Sequence, residues 1–591
     1  MASVVTNDMS VVIGGEAGQG VESSGAGFGL SLARAGLHVF AMQDYRSRIR
    51  GGHNFYQIRV SEEPRLSHSN LVHLLVALTP ETAELHLDRL AEGAAVIFPE
   101  KSDIDPEPLK KRGVSINTLP LIRIAEEHGS RVMTNTAALG AVAGITEFPI
   151  EFMESVIREN FAAKGEQTVD ANLKVAQVAY DLGRERHGAD FPYRLASMRG
   201  APRRMLMNGN QALAMGALAG GCRFMSAYPM TPATTIFEWM SGLPHEYGVV
   251  TKHAEDEIAA AAMAAGASFA GARAMTGTSG GGFCLMVETL GLAGITEVPM
   301  VIALSQRGGP SNGLPTRTEQ ADLLFAVNAS HGESPRIIIA PGTVEECFEA
   351  GWRAFNLAEK YQCAVVIMTD QFLGSSMRTL DMEAVDFSSV TIDRGSTMTR
   401  EDLDRLTDGY KRFQLTETGI SPRALPGQHP AAVFSSTSDE HDEEGHFDEG
   451  IENRRRMMQK RMRKLEEAEK EMRAPKRYGP SEAETTLVCW GSTFGPCKEA
   501  ADQLNASGGS ANVLQFLDLW PLPEDATLAA LGECRHTVVV EQNYTSQLAR
   551  LLRMITGIEV DGTINKYDGR PFAPEEIVAG LGKEVASGHA A

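Results

Sequence analysis

The sequence has no cysteine pair of the kind that holds a metal cluster. Seven cysteines occur among the 591 residues, and no two of them form a C-x-x-C motif. Such spacing gives neither a disulfide framework nor the ligand set of a zinc or iron–sulfur site. We therefore expect most of the cysteines to be core residues in a reducing compartment, and we predict no metal site in this chain.

Long apolar runs and a basic charge excess are missing as well. The longest weakly apolar run, residues 258–272, is rich in alanine and interrupted by Gly266 and Ser268, which argues against a membrane-spanning helix. The first ten residues lack the basic region and apolar core of a signal peptide. A net charge of −21 disfavours nucleic acid or an anionic membrane as a partner. The sequence predicts a cytoplasmic protein that binds neither.

The length and the hydrophobic pattern predict several α/β domains. At about 150 residues per domain, the chain suggests three or four units. Short buried strands alternate with helices, so we expect mainly parallel sheets. The predicted boundaries are 1–195 for a Rossmann-like α/β domain, 196–395 for a second α/β domain, 396–478 for a charged linker or excursion, and 479–591 for a last α/β domain.

The predicted excursion is distinguished by its charge. Residues 439–452 are acidic, residues 454–464 are strongly basic, and Glu466 and Lys470 form an i,i+4 pair. We expect a solvated segment that buries no core.

A glycine-rich turn and a cationic loop mark the N-terminal domain. The turn GGEAGQG at 14–20 lies between a strand and a helix, and the strand HVFAM follows, which predicts a βαβ start. The glycines suit either an anion at the helix N-terminus or simply a tight turn. Their spacing is not G-x-G-x-x-G, which argues against an NAD-linked oxidoreductase. Arg46, Arg48 and Arg50 suit a carboxylate or phosphate clamp and equally a solvated loop.

Three acids precede an alanine-rich helix in the second domain. Glu255, Asp256 and Glu257 are all candidates for capping, because acids offset the partial positive charge of a helix N-terminus. Glu257 is followed at once by the apolar helix face, so we expect this carboxyl to point inward. An inward carboxyl can share a proton with a ring nitrogen.

Two further residues suit an anionic substrate. Thr231 lies between Pro229 and Pro232, which fix the backbone around its hydroxyl, although a tight turn alone would explain the pattern. Arg307 follows an apolar strand, where a cation needs an anionic partner. That partner is either a substrate carboxylate or a structural acid.

Together these motifs resemble the α subunit of the 2-oxoacid:ferredoxin oxidoreductases, and the N-terminal turn and cationic loop resemble the family's γ domain, here fused in front of α. The fused arrangement is most like the 2-oxoglutarate enzyme, and fusion also occurs among enzymes of broader 2-oxoacid specificity. The segments that carry the resemblance are YPMTP at 228–232, EDEIAA at 255–260, ARAMTGTSGGGF at 272–283, SQRGGPSNGLPT at 305–316, EHDEEGH at 440–446, VVVEQNYTSQLARLL at 538–552, GRPF at 569–572, GGEAGQG at 14–20 and YRSRIRGGHN at 45–54.

The resemblance implies a fold, a reaction and partners. The three α/β domains would be a γ domain, a pyrimidine-binding domain of thiamine enzymes and a transketolase C-terminal-like domain. The enzyme would use thiamine diphosphate and coenzyme A to convert 2-oxoglutarate to succinyl-CoA and CO2, pass electrons to ferredoxin, and also run as a reductive carboxylation. A separate β subunit would hold the diphosphate, Mg2+ and a [4Fe-4S] cluster. This chain indeed lacks a G-D-G motif followed by N-N. The complex would be a dimer of αβ heterodimers.

The resemblance also implies roles for single residues. Glu257 would hydrogen-bond the pyrimidine N1′ and favour its imino tautomer. The substrate 1-carboxylate would be held by Thr231, Arg307 and Tyr228. The pyrimidine side would be lined by Pro229, Ser279, Gly280 and Gly281.

The sequence also suggests which residues bind the substrate side chain. A second carboxylate distinguishes 2-oxoglutarate from pyruvate, and its burial requires a cation. Because the family's γ domain lies near the site, Arg48 and Arg50 are the candidates. The alternatives are an enzyme of broad specificity, one for pyruvate or branched-chain 2-oxoacids, and a non-catalytic scaffold subunit, although intact Thr231, Glu257 and Arg307 argue against the scaffold.

Overall fold

The computed structural model describes residues 4–47, 51–188 and 190–588. It divides into two compact units. The first comprises the residues up to Met207 with Ser375–Ala384 and Ala573–Glu576, and the second comprises Asn208–Gly374, Val385–Phe572 and the residues from Ile577 onward.

The first unit is built on one mixed sheet with helices. With elements numbered in chain order, its strands are β1 (Val5–Thr6), β2 (Met9–Glu16), β3 (His38–Asp44), β4 (His53–Ser61), β5 (Val72–Ala77), β6 (Leu90–Pro99), β7 (Ser115–Leu119), β8 (Tyr193–Arg194), β9 (Arg204–Met207) and β16 (Met377–Asp381). Its helices are α1 (Val21–Arg34), α2 (Pro80–His86), α3 (Glu107–Arg112), α4 (Leu121–His128), α5 (Thr134–Ile145), α6 (Ile150–Phe161) and α7 (Glu166–Gly183). The large sheet has the order β7-β6-β5-β2-β4-β3-β16-β9, and β1 pairs with β8.

The predicted βαβ start is wrong in its strand pairing. The strand β4 lies between β2 and β3 and is antiparallel to both, so β2 and β3 are not neighbours. The pairing of β4 with β2 runs from Met9–Val60 to Glu16–His53. The strand β4 therefore occupies the position next to β2 where the prediction places a parallel β3. The strands β9 and β16, which fall inside the predicted second domain, complete the same sheet.

The second unit contains two sheets. Its strands are β10 (Cys222–Ala227), β11 (Val250–His253), β12 (Arg273–Thr278), β13 (Met300–Gln306), β14 (Arg336–Ile339), β15 (Ala364–Asp370), β17 (Lys476–Tyr478), β18 (Thr485–Trp490), β19 (Ala511–Phe516), β20 (Asp518–Trp520), β21 (Thr537–Glu541) and β22 (Gly562–Asn565). The sheet orders are β11-β10-β12-β13-β15-β14-β20 and β17-β19-β18-β21-β22. Every pair in them is parallel except β14–β20 and β17–β19, so the predicted α/β class with mainly parallel sheets is confirmed.

The remaining helices follow in the second half of the chain. They are α8 (Gly209–Ala219), α9 (Thr234–Ser241), α10 (Glu257–Phe269), α11 (Gly280–Ile295), α12 (Leu323–Val327), α13 (Val344–Tyr361), α14 (Gln371–Ser375), α15 (Arg400–Asp404), α16 (Ile451–Glu469), α17 (Phe494–Ala506), α18 (Glu524–Gly532), α19 (Gln547–Thr556) and α20 (Pro574–Gly588). None of the helices in the described ranges is long and apolar enough to cross a membrane.

Residues 396–478 are not the solvated excursion that their charge predicts. A small core forms within the segment from Leu403, Tyr410, Ala424 and Ala432. The lysines of α16 also turn inward, and Lys460 and Lys464 are among the most buried side chains of the described chain. The prediction failed because the acid that pairs with these lysines is distant in sequence.

That acid is Glu297, between α11 and β13. Its carboxylate accepts hydrogen bonds from Lys460 Nζ at 2.5 and 2.7 Å and from Lys464 Nζ. Its backbone oxygen accepts from Arg412 Nη2 at 2.7 Å. Three cations therefore surround one buried acid, and this arrangement, here called the Glu297 cluster, fastens residues 396–478 to the rest of the second unit.

Lys460→Met is expected to remove a pH dependence of stability. Burial, together with the neighbouring Lys464 and Arg412 charges, lowers the pKa of Lys460 from 10.5 to about 7 against the opposing effect of Glu297. Between these values the unfolded chain binds more protons than the folded chain. The free energy of unfolding should thus rise with pH, by up to about 1.4 kcal/mol per unit from this lysine.

Chemical denaturation at pH 7, 8 and 9 measures this slope. We expect Lys460→Met to flatten it, while Lys470→Met, which removes an exposed lysine just beyond the same helix, keeps the wild-type slope. Equal slopes for wild type and Lys460→Met would contradict the assignment.

Candidate active site

The predicted site residues lie where three neighbouring parallel strands end. Tyr228 follows β10, Ser279 follows β12 and Arg307 follows β13, and these strands are adjacent in the sheet. Ligands of such sheets bind beyond the carboxyl ends of the strands. The topology therefore gathers three segments, far apart in sequence, at one edge.

The three acids at the start of α10 have three different environments. Asp256 is the N-cap, and its Oδ1 accepts a hydrogen bond from the Ala259 N–H at 2.7 Å. Glu255 is exposed. Glu257 is only 4% exposed, and its Oε1 is buried without a hydrogen-bond partner among the described residues. Capping thus explains Asp256 and leaves the Glu257 carboxyl with an unmet hydrogen bond.

The Glu257 side chain is held against the first turn of α11. A Cβ added at Gly282 would overlap the Glu257 Cγ and the Thr278 Oγ1. Only glycine leaves room there, so Gly282 and Glu257 together form a close contact between α10 and α11. Since a buried polar atom without a partner costs free energy, the free Oε1 indicates a position for a donor from outside the chain.

Thr231 and Arg307 lie side by side. Arg307 Nη1 donates to the Thr231 carbonyl oxygen at 2.8 Å, and Nη2 lies 3.4 Å from Asn312 Oδ1. Burial lowers the pKa of the Arg307 guanidinium and the nearby Glu257 charge raises it. The arginine therefore faces the site with its second nitrogen only weakly engaged, which suits an incoming carboxylate.

The turn Ser279–Gly281 begins α11. Ser279 is buried and its Oγ has no partner among the described residues, whereas Gly281 is exposed. The first N–H groups of a helix have no partner within the helix, so this turn offers backbone donors at the site.

Two acids of the site were missed by sequence reasoning. Asp322 packs against the α11 turn, where a Cβ at Gly280 would meet its carboxylate, and burial raises the pKa of Asp322 to about 6. Glu319 Oε2 accepts from the Gly309 N–H at 3.2 Å, and burial raises the pKa of Glu319 as well. Asp322 directly precedes the short helix α12 and looks like an ordinary capping residue, and Glu319 lies three positions before it, so no sequence signal singled them out.

The other predicted site residues lie at the rim of the site or outside the described residues. Tyr228 and Pro229 are exposed at the rim of the turn before α9. Arg48 and Arg50 lie outside the described residues, and Arg46 Nη2 contacts Glu81 Oε1 at 2.8 Å. The described ranges contain no group of three or more His, Cys, Asp or Glu side chains that could hold a metal ion.

Three family models match the chain. The model for the thiamine diphosphate-binding domain of pyruvate flavodoxin/ferredoxin oxidoreductase covers residues 215–460, which include the strand ends described above. The model for pyruvate ferredoxin/flavodoxin oxidoreductase covers residues 10–182, and that for the transketolase C-terminal domain covers residues 478–555.

Whole-length relatives agree with these matches. A 2-oxoacid:ferredoxin oxidoreductase subunit alpha of Sulfolobus sp is 33% identical over 98% of this chain and 97% of its own length. A 2-oxoglutarate oxidoreductase subunit KorA of Mycobacterium tuberculosis is 29% identical over 95% of this chain and 89% of its own.

A solved structure has the same fold over the same extent. The 2-oxoglutarate:ferredoxin oxidoreductase of Magnetococcus marinus, determined with 2-oxoglutarate, coenzyme A and succinyl-CoA bound, has a TM-score of 0.91 and 33% identity, covering 98% of this chain and 100% of that one. This chain therefore belongs to the 2-oxoacid:ferredoxin oxidoreductases, as an α subunit with the γ-type domain fused at its N-terminal side.

Proposed function

We propose that this α subunit binds the pyrimidine half of thiamine diphosphate and serves an enzyme that converts 2-oxoglutarate and coenzyme A to succinyl-CoA and CO2, with ferredoxin as the electron acceptor. The observation that carries the proposal is the buried, unpartnered Oε1 of Glu257 at the start of α10. Glu257, the free Oγ of Ser279 and the glycine contact at Gly282 fit a flat, nitrogen-bearing ring.

The residues of this chain would act on the ring and on the substrate separately. Thiamine diphosphate, when bound, supplies the nucleophilic carbon and the electron sink that decarboxylation of a 2-oxoacid needs. Glu257 holds a proton at the pyrimidine N1′ and so favours the imino tautomer of the ring. Pro229 and the turn Ser279–Gly281 would line the ring, and the first N–H groups of α11 would be available to it as donors.

Arg307, at the end of β13, orients the substrate. Arg307, fixed through Nη1 to the Thr231 carbonyl, binds the 1-carboxylate with its remaining donors. The Thr231 hydroxyl and Tyr228 complete this clamp. Orienting the carboxylate in this way holds the 2-oxo carbon where the reaction takes place.

The rest of the active enzyme comes from a partner. A β subunit supplies the diphosphate site, Mg2+ and a [4Fe-4S] cluster, so this chain alone is inactive. The complex is a dimer of αβ heterodimers in the cytoplasm. The relatives of broader name, such as the Sulfolobus 2-oxoacid enzyme, make broad 2-oxoacid specificity the second candidate.

The test is co-expression with the β chain of the same enzyme, followed by coenzyme A-dependent reduction of ferredoxin with a panel of 2-oxoacids. We expect turnover only in the complex and a preference for 2-oxoglutarate. Equal use of pyruvate and branched-chain 2-oxoacids favours broad specificity, and a stable complex that turns over none of them favours a scaffold role.

Substrate preference is expected to depend on Arg48 and Arg50. Replacing both with glutamine removes the cations proposed to bind the second carboxylate, whose burial unpaired is costly. We expect kcat/KM for 2-oxoglutarate to fall at least tenfold relative to that for pyruvate in the purified complex. Arg46→Gln, which removes an arginine paired with Glu81, is the matched control. An unchanged ratio of the two kcat/KM values would show that these arginines do not bind the second carboxylate.

A further inference from the structure

A short segment before α12 contacts both the active site and the last α/β domain. In this bridging segment, residues 318–322, Asp322 packs against Gly280 at the start of α11, and Glu319 accepts a hydrogen bond from the Gly309 N–H. Gln320, which follows Glu319 directly, is fully buried and contacts the last domain instead. The bridging segment thus connects two acids of the site to a sheet that is distant in sequence.

Gln320 fixes the bridging segment to the last domain. Its backbone N–H donates to the Gln542 carbonyl oxygen at 2.7 Å, and its own carbonyl oxygen accepts from Asn543 Nδ2 at 3.0 Å. In its side chain, Nε2 donates to the Trp490 carbonyl oxygen at 2.8 Å, and Oε1 accepts from the Gln542 N–H at 3.1 Å. A buried polar residue whose hydrogen bonds are all made in this way is rigidly held. The backbone that carries Glu319 therefore has a fixed position.

Glu319 lies against the two glycines that follow Arg307. Its Oε2 accepts from the Gly309 N–H at 3.2 Å, and a Cβ added at Gly308 would come within 3.1 Å of the same oxygen. The Leu314 N–H donates to the Gly308 carbonyl oxygen at 2.8 Å and closes the loop. Because glycine adopts more backbone conformations than other residues, these two need outside contacts to hold one of them. Glu319 provides such a contact beside the arginine.

We infer that Glu319 is a positioning residue for the substrate 1-carboxylate, which it serves by holding the Gly308–Gly309 backbone and through it the Arg307 guanidinium. The inference rests on the proposed function, in which Arg307 binds that carboxylate. Glu319 does not touch the substrate and acts through the Gly309 N–H. Since Gln320 fixes this acid to the last domain, the C-terminal sheet contributes to substrate binding at a site on another sheet.

The hydrogen bond, and not the negative charge, carries this role. The group that Glu319 contacts is a neutral backbone N–H, and an amide oxygen accepts from it as a carboxylate does. Burial raises the pKa of the Glu319 carboxyl, against the Gly309 hydrogen bond, which lowers it. A negative charge beside the clamp would also repel an incoming carboxylate. Glutamine should therefore replace this glutamate in its role.

Glu319→Ala in the full chain, assembled with the β chain of the same enzyme, tests the inference. We expect KM for 2-oxoglutarate to rise about fivefold, the usual effect of one hydrogen bond, with kcat little changed because substrate binding alone is weakened. KM for every other 2-oxoacid that the complex uses should rise by the same factor, since all of them carry the 1-carboxylate. The conservative variant Glu319→Gln should restore the wild-type KM.

A binding measurement without turnover accompanies the kinetics. The probe is 2-hydroxyglutarate, which keeps the 1-carboxylate and has no 2-oxo carbon to react, and its dissociation constant is measured by calorimetry. It should also rise about fivefold in Glu319→Ala and return to the wild-type value in Glu319→Gln. Glu333→Ala, which removes an exposed acid beyond α12, is the matched control and should bind the probe like wild type. The melting temperatures should agree among the complexes.

The outcomes separate this inference from the proposed function. Wild-type KM and probe affinity in Glu319→Ala overturn the positioning role, even if the wild-type complex turns over 2-oxoacids. An equal loss in Glu319→Ala and Glu319→Gln also overturns it, because the amide keeps the acceptor oxygen. A wild-type complex that turns over no 2-oxoacid overturns the proposed function, and the effect of Glu319→Ala on probe binding then decides the inference by itself.

Discussion

Glu257→Gln is expected to lower the turnover of the assembled enzyme by about 10²–10⁴-fold, the usual contribution of a positioned proton-transfer group. Glutamine keeps the shape that packs against Gly282, but its amide, unlike a carboxyl, has no titratable proton to share with a ring nitrogen. Since Oε1 is buried without a partner among the described residues, the loss should appear in kcat and not in assembly.

Glu255→Gln is the matched control for this substitution. It removes an exposed acid two residues earlier and leaves the Asp256 cap in place, so turnover should stay within about twofold of wild type. Copurified β chain and the melting temperature should be the same in both variants. A Glu257→Gln complex that turns over at the wild-type rate would remove the carboxyl from the mechanism.

Glu297→Gln is expected to destabilise the chain by about 3–5 kcal/mol, because breaking a buried ion pair leaves its partner charges uncompensated. Burial alone would raise the pKa of Glu297, but Lys460, Lys464 and Arg412 lower it well below its usual range. Glutamine would leave these buried cations without their counter-charge. Denaturant unfolding of the purified α chain measures the effect.

Two comparisons make the stability test specific. Glu333→Gln removes an exposed acid and should change the free energy of unfolding by no more than about 0.5 kcal/mol. Replacing Glu297, Lys460 and Lys464 together with leucine or methionine should recover part of the loss, since apolar packing can substitute for buried ion pairs while the buried Arg412 keeps its charge. If Glu297→Gln unfolds like wild type, the Glu297 cluster does not fasten residues 396–478.

Periodicity and local signals predicted the parts of the fold that depend on neighbouring residues. Alternation of short apolar strands with helices was enough for the α/β class, and the position of Glu257 before an apolar helix face separated it from its neighbours Glu255 and Asp256. Both signals are local, because each is decided within a few residues of chain.

The failures depend on long-range pairing. Lys460 and Lys464 look solvated until Glu297, more than 160 residues away, is brought beside them. The pairing of β4 between β2 and β3 and the addition of β16 to the first sheet depend on ladders that no local pattern encodes. Asp322 was missed for the opposite reason: its local pattern had an ordinary explanation in capping, and only its packing against Gly280 relates it to the site.

The position of β16 has a consequence for synthesis on the ribosome. This strand pairs with β3 and β9, so those two strands have exposed edges until residues 377–381 have left the exit tunnel. Unpaired edges are sites of aggregation, and domains generally fold as the chain emerges. The large sheet of the first unit is therefore completed only after about half of the α segment, residues 196–591, has been translated. A separately encoded γ chain would need another way to cover the same edge.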